Sequence, residues 1–171
     1  MKVAVLIEDH YQVLEGWYPY LRLREEGVET VFVGPDRKKE YLSKEGYPAE
    51  AELSIKKAQV NNFDGVIIPG GYAPDILRRD PEIIAFVREM YRQGKLVGAI
   101  CHAGWVWVSA GVLKGKNATC FIAIKDDLIN AGANYSDQEV VVDGNLITSR
   151  NPYDLPAFCK KIINFLKAVK S

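Results

Sequence analysis

Leu96-Val97-Gly98-Ala99-Ile100-Cys101-His102-Ala103-Gly104 is the stretch on which the reading of this chain turns. Its first five residues carry no polar side chain. A continuous apolar run of that length suits a strand buried on both faces, the kind found in parallel sheets. It runs without a linker into Cys101, and an apolar helical stretch follows to Ala110, where Gly111 stops it. A strand that turns sharply into a helix at a nucleophilic side chain has the layout of a nucleophile elbow. Such a turn crowds its flanks, so small residues are needed two positions either side. Ala99 and Ala103 fill them.

The same grammar extends both ways. Lys2 to Ile7, Glu29 to Val33 and Gly65 to Ile68 are further short β-branched runs. Between them lie amphipathic stretches. Tyr18 to Glu26 predicts a helix with Tyr18, Leu21 and Leu14 on its apolar face and Pro19 in its first turn, stopped by Gly27. Pro81, after an N-cap at Asp80, opens a helix carrying Ile83, Ile84, Val87, Met90 and Tyr91, ended by Gly94. Lys125 to Ala131 predicts a short helix, and Asp154 to Val169 a closing one with Phe158, Ile162, Phe165 and Leu166 inward. Glu139 to Val142 and Asn145 to Thr148, joined by Asp143-Gly144, predict a hairpin. Residues 36–54 are polar and broken by Gly46 and Pro48, which reads as a hairpin or an irregular excursion. Strands alternating with helices imply an α/β architecture, a mostly parallel sheet with helices on both faces.

The chain has 171 residues with no linker, repeat or low-complexity segment, so a single domain over residues 1–171 is expected. The 22 basic residues balance the 22 acidic ones, which argues against a dedicated nucleic-acid binder. The apolar runs are too short for a membrane span, and the N-terminal residues lack a signal-peptide layout. Three Cys in such a chain read as reduced thiols in the cytoplasm. Two His and no CxxC leave little for a structural metal, and no cofactor is implied.

In doubly wound sheets, ligands sit at the carboxyl ends of strands. Residues 8–15, 69–75 and 101–102 occupy such ends and hold most of the unusual chemistry. A thiol at Cys101 faces a helix amino end, which favours thiolate. His102 follows as a base or partner for it. Gly70 and Gly71 allow backbone to approach a ligand or to offer N–H groups to an oxyanion. Asp75 is an acid positioned to orient His102. A protonated carboxyl group beside the thiol would donate a hydrogen bond to sulfur, and by spacing Glu8, Asp9 and Glu15 serve equally. His10 reads as a solvated loop histidine. Cys120 and Cys159 read as buried structural thiols. Trp105 and Trp107 add bulk near the elbow, at least one of them in the core.

Five segments together resemble one family. They are Glu15-Gly16-Trp17-Tyr18-Pro19, Ile68-Pro69-Gly70-Gly71-Tyr72-Ala73-Pro74-Asp75, Ala99-Ile100-Cys101-His102-Ala103-Gly104, residues 124–132, and residues 140–145 through Ser149-Arg150. The chain resembles, over essentially its whole length, the PfpI family of intracellular cysteine peptidases and protein deglycases, within the class I glutamine amidotransferase-like superfamily. The resemblance implies a flavodoxin-like three-layer sandwich. It implies Cys101 as nucleophile, His102 as its partner and Glu15 as the buried carboxyl group against the thiol. It further implies N–H donors near Gly71 and His102, and an acidic third member at Asp75 that reaches the site from a neighbouring subunit of a homo-oligomer. Two positions depart from the archaeal peptidase pattern, Ala103 for Gly and Asp75 for Glu, the latter one methylene shorter.

The expected function is therefore a cysteine hydrolase acting on peptides or on small or protein-bound reactive carbonyls of the methylglyoxal type, as a deglycase or glyoxalase. The contrasting class is a non-enzymatic stress-response protein that senses oxidation through Cys101.

Overall fold

The computed structural model describes residues 1–36 and 39–170, and the side chain of Lys170 is outside the description. In chain order the elements are β1 (Lys2–Leu6), α1 (Val13–Glu25), β2 (Glu29–Gly34), β3 (Glu40–Leu42), β4 (Pro48–Glu50), β5 (Leu53–Ser54), β6 (Gly65–Ile68), α2 (Ala73–Leu77), α3 (Pro81–Arg92), β7 (Leu96–Ile100), α4 (Gly104–Ala110), β8 (Asn117–Ala118), α5 (Lys125–Asn130), β9 (Asn134–Tyr135), β10 (Val141–Asp143), β11 (Leu146–Ser149) and α6 (Leu155–Lys170). The main sheet runs β10-β11-β7-β6-β1-β2-β5, parallel throughout except for the β10–β11 hairpin. This is the flavodoxin-like sandwich expected. α1 packs on α6, and α3 packs on α4, around the sheet.

β6 and β7 are buried from end to end and β1 from Val3 onward, as their unbroken apolar runs require. Phe158, Ile162 and Leu166 are buried on α6 as the periodicity predicts, and Ile83, Ile84, Val87 and Met90 on α3. Each such side chain contributes about 1.5–3 kcal/mol on full burial. Because β1 pairs with β6 and β6 with β7, their carboxyl ends lie side by side. That adjacency brings residues 8–15, 69–75 and 101–102 to one rim. No helix among the described residues is long and apolar enough to cross a membrane.

α1 corrects the sequence reading. It begins at Val13, not Tyr18, because Gln12 caps it: the Gln12 side-chain oxygen accepts from the Glu15 N–H at 2.8 Å. Glu45, from the β3–β4 turn, accepts from the Val13 N–H at 3.1 Å. Pro19 therefore sits inside the helix, where it removes the N–H that would reach the Glu15 carbonyl. The buried face is Glu15, Gly16, Pro19, Tyr20 and Leu23. Leu14, Tyr18 and Leu21 are 53%, 37% and 57% exposed, an apolar stripe on the outside.

Residues 36–54 contain a true hairpin, β3 with β4, followed by the edge strand β5. Arg37 and Lys38, within that stretch, lie outside the described residues. The expected hairpin forms with its turn one residue later than Asp143-Gly144: Asp143 pairs with Leu146 as the end of β10, and Gly144, at φ +59°, and Asn145 make the turn into β11.

Candidate active site

Cys101 stands at the end of β7 with φ +62°, in a one-turn 3-10 segment (residues 101–103) that feeds α4. A non-glycine residue in the left-handed region is held there by its surroundings. Ala99 and Ala103 are buried and leave room for the turn. The Cys101 carbonyl accepts from the Phe121 N–H at 3.2 Å, which fixes the far side of the elbow.

Four groups converge on the Cys101 sulfur. His102 Nδ1 lies 3.2 Å from Sγ. The backbone N–H groups of Gly71 and His102 donate toward the sulfur and favour its anion. The carboxyl group of Glu15, fully buried, interacts with the Cys101 side chain. Of the candidates equal by spacing, α1 delivers Glu15, in its first turn. Glu8 is also buried, but its carboxylate accepts from the Asp9 N–H.

The two glycines have different tasks. The Gly70 N–H donates to Glu15 Oε2 at 2.7 Å, so it is not an oxyanion donor, contrary to the sequence reading. What Gly70 supplies is closeness. A Cβ there would stand 2.6 Å from the Cys101 Cβ and 2.6 Å from Glu15 Oε2. Gly71 has φ +78°, and a Cβ there would meet the His10 carbonyl at 2.3 Å. Only glycine turns this backbone so that its N–H reaches the sulfur.

Burial raises the Glu15 pKa to about 7, against the Gly70 hydrogen bond, which lowers it. Glu15 Oε1 is buried with no hydrogen-bond partner from an N–H or O–H group. Burial pushes the Cys101 thiol up to about 12, and the negative charge of Glu15 adds to the rise. This corrects the expectation of a resident thiolate. The Gly71 and His102 donors do lower the thiol pKa, but burial outweighs them. The Glu15 contribution vanishes when that carboxyl group is neutral, which a pKa near 7 allows. Burial lowers the His102 pKa, and the charge of Lys44 lowers it further, so the ring is neutral at pH 7 and able to accept the thiol proton.

The His102 ring stacks on Phe121, centroids 5.0 Å apart, and meets Trp105 edge-on at 5.2 Å. Trp105 is half-buried here and its Nε1–H donates to Asp127 at 2.8 Å, whereas Trp107 is fully buried in the core. Phe121 and Lys44 are site residues the sequence reading missed. Phe121 would have been found only by noticing that its segment returns to the elbow. Asp75 is half-exposed on α2, and its carboxylate is paired with Arg79 and not with His102 of its own chain. His10 is exposed, as expected. Cys120 and Cys159 are buried. Among the described residues, no group of three or more His, Cys, Asp or Glu side chains is placed to hold a metal ion. An open cleft of about 400 Å³ continues from Trp105, lined by Arg78, Val108, Asp127, Asn130 and Ala131.

Known proteins resemble this chain in sequence and in fold. The chain is 40% identical to deglycase PfpI of Pyrococcus furiosus over 98% of its own length and 100% of the relative's. It is 40% identical to the putative cysteine protease YraA of Bacillus subtilis over 97% of this chain and 98% of that one. A solved two-domain protein of Anabaena variabilis, with DJ-1/ThiJ/PfpI-like and ferritin-like domains, superimposes with a TM-score of 0.95 at 45% identity. That match covers 97% of this chain and 48% of the larger one. The DJ-1/PfpI family pattern matches residues 1–165, and the chain belongs to the DJ-1/PfpI family.

Proposed function

We propose that the protein is a cysteine-dependent hydrolase of the PfpI type, with Cys101 as nucleophile. The observation that carries this reading is the sulfur's surroundings: a neutral imidazole at 3.2 Å, two backbone N–H donors and a buried carboxyl group with a pKa near 7. In the resting site the thiol holds its proton. On attack, a bond forms between Sγ and the substrate carbonyl carbon while the thiol proton passes to His102. The carbonyl oxygen becomes an oxyanion, which the Gly71 and His102 N–H groups are placed to receive. Glu15, protonated, donates to sulfur or returns a proton to the oxygen. With an aldehyde the adduct is a hemithioacetal. With an amide, the protonated His102 releases the amine and water hydrolyses the thioester.

Reactive carbonyls of the methylglyoxal type, free or on proteins, are the favoured substrates. Cys101 is only 9% exposed, which suits a small electrophile better than a folded peptide segment. A redox-sensing role is disfavoured, since oxidation follows thiolate character and this thiol is protonated at rest. The working unit we propose is one domain, assembled as a homo-oligomer. The exposed stripe of Leu14, Tyr18 and Leu21 supports a self-contact. A half-exposed Asp75, turned to Arg79 and not to His102 of its own chain, supports the idea that the acid serving His102 comes from a neighbour.

The test is an assay of the purified protein with methylglyoxal, with a glycated protein and with a fluorogenic peptide, each beside Cys101→Ala. Turnover of the carbonyl substrates falling at least a thousandfold in the variant is expected. Unchanged turnover overturns the assignment of the nucleophile, and peptide cleavage alone overturns the carbonyl preference.

A further inference from the structure

The β3–β4 hairpin carries a cation to the rim of the site. Its turn is fastened to the loop before α1. The His10 N–H donates to the Leu42 carbonyl at 2.7 Å, and the Lys44 N–H to the Tyr11 carbonyl at 2.9 Å. The Leu42 N–H donates to Asp9 Oδ1 at 3.0 Å. Ser43 Oγ accepts from the Glu45 and Tyr47 N–H groups and closes the turn. Tyr11 is bridged to Ser43 on one side and to Gly71 on the other. A short ladder of three segments thus runs from Lys44's neighbour to the glycine whose N–H addresses the Cys101 sulfur.

The Lys44 ammonium group is not committed to a tight pair. Its contact with Glu45 Oε1 is 3.9 Å, beyond hydrogen-bond reach, and the Glu45 carboxylate already serves the N-terminus of α1. The two arginines that follow α2 are engaged. Arg79 pairs with Asp75, and Arg78 donates to Ser109 Oγ and lies over Trp105. The exposed side chains that follow Gly71 and Cys120, Tyr72 with Phe121 and Ile122, are aromatic or apolar. The charge of Lys44 acts on Glu15, on Cys101 and on His102, lowering the pKa of each. The backbone ladder sets the Lys44 turn two steps from Gly71, whose N–H donates toward the Cys101 sulfur, and this puts the root of the Lys44 side chain on the rim of the site.

We propose that Lys44 is a specificity-determining residue that pairs with a carboxylate borne next to the carbon attacked by Cys101, so that of two small electrophiles of equal size the one carrying an adjacent carboxylate is favoured by this side chain. This rests on the reading of Cys101 as the attacking group. A carboxylate there would otherwise repel the oxyanion and the charge of Glu15. Lys44 offsets that repulsion, and a neutral carbonyl compound gains nothing from it.

Two alkylating agents of matched size isolate the effect. Iodoacetate carries the carboxylate and iodoacetamide does not. With either, the Sγ–carbon bond forms, the carbon–iodine bond breaks, iodide leaves, and the thiol proton passes to His102 or solvent. The rate of each at Cys101 is followed by peptide mass spectrometry in the full chain. The iodoacetate-to-iodoacetamide ratio is expected to fall about fivefold in Lys44→Gln and to stay within about twofold in Lys44→Arg. Removing the charge also changes thiol acidity, but that scales both rates and cancels in the ratio. An unchanged ratio in Lys44→Gln overturns the proposal, as does a fall of the same size in Lys44→Arg. Because the readout needs no turnover, failure of the carbonyl chemistry and failure of the Lys44 assignment are told apart.

Discussion

Cys101, at the end of β7, and Cys159, inside α6, are both buried, and burial pushes both thiols up to about 12. By acidity alone they are the same group. Their surroundings differ. Cys101 has a strained backbone, a ring nitrogen at 3.2 Å, two N–H donors and a carboxyl group that loses its charge near pH 7. Cys159 lies on a regular helix in the buried core, and among the described residues the charge that acts on it is that of Arg22, which lowers its pKa. The lesson is that a reactive thiol is marked by partners that can take its proton and stabilise its anion, not by the acidity of its resting state. At Cys101 part of the rise comes from the Glu15 charge and can be switched off. At Cys159 only unfolding relieves it.

Glu15→Gln should break the difference most strongly. The unfolded carboxyl group ionises above about pH 4.5, whereas the folded one keeps its proton to about pH 7. The folded state therefore binds more protons in that window, and wild-type stability falls as pH rises through it. The cost reaches about 3 kcal/mol above pH 7. Glutamine stays neutral and still accepts the Gly70 N–H. Urea unfolding at pH 4.5 and pH 8 should show the variant gaining about 3 kcal/mol on the wild type between the two. Turnover should drop about a hundredfold, since the amide exchanges no proton. A difference in stability that does not change with pH would reject the shifted ionisation of Glu15.

A pair of glycines tests the packing on which each cysteine depends. In Gly70→Ala the new methyl group lands 2.6 Å from the Cys101 Cβ and from Glu15 Oε2. Gly98→Ala lands 3.1 Å from Phe158 Cζ, the residue before Cys159, where a ring edge can give way. Displacing the first pair should cost about 2 kcal/mol and about thirtyfold in kcat/KM. The second should cost about 1 kcal/mol and leave kcat/KM within about twofold. Equal activities for the two variants would mean that the Gly70 contact does not hold the sulfur in place.

Much of this was legible in the chain. The buried runs at residues 2–6, 65–68 and 96–100 announce a parallel sheet because strands covered on both faces have no polar side to alternate with. Cys101 stood out because a thiol directly after such a run has to lie at a strand end. Glu15 could not be separated from Glu8 by spacing, since the choice depends on how α1 is turned. That in turn depends on a cap from Gln12 and a carboxylate from Glu45, which folds back from the next hairpin. The apolar residues Leu14, Tyr18 and Leu21 share one face of the helix, and it is the outer one. Periodicity finds a stripe but does not say what covers it. Lys44 was missed for a similar reason: a hairpin turn is brought to the site by backbone hydrogen bonds, which leave no pattern in the side chains.

The smallest effect is expected at the quiet end of the comparison. Cys159 is 1% exposed and belongs, with Phe158 and Ile162 of the same helix, to the buried core. Cys159→Ala deletes one buried sulfur and leaves a gap too small for the backbone to collapse into. The cost should be about 1 kcal/mol, a fall of about 2–4 °C in Tm for a chain of this size. No group that touches the Cys101 sulfur belongs to α6, so kcat/KM with methylglyoxal should remain within about twofold. Iodoacetamide should reach Cys159 in the wild type only at the rate of global unfolding, which urea accelerates, whereas it should reach Cys101 in the folded protein. Labelling of Cys159 as fast as Cys101 under native conditions would show that α6 opens locally, and the contrast between the two thiols would then rest on chemistry alone and not on access.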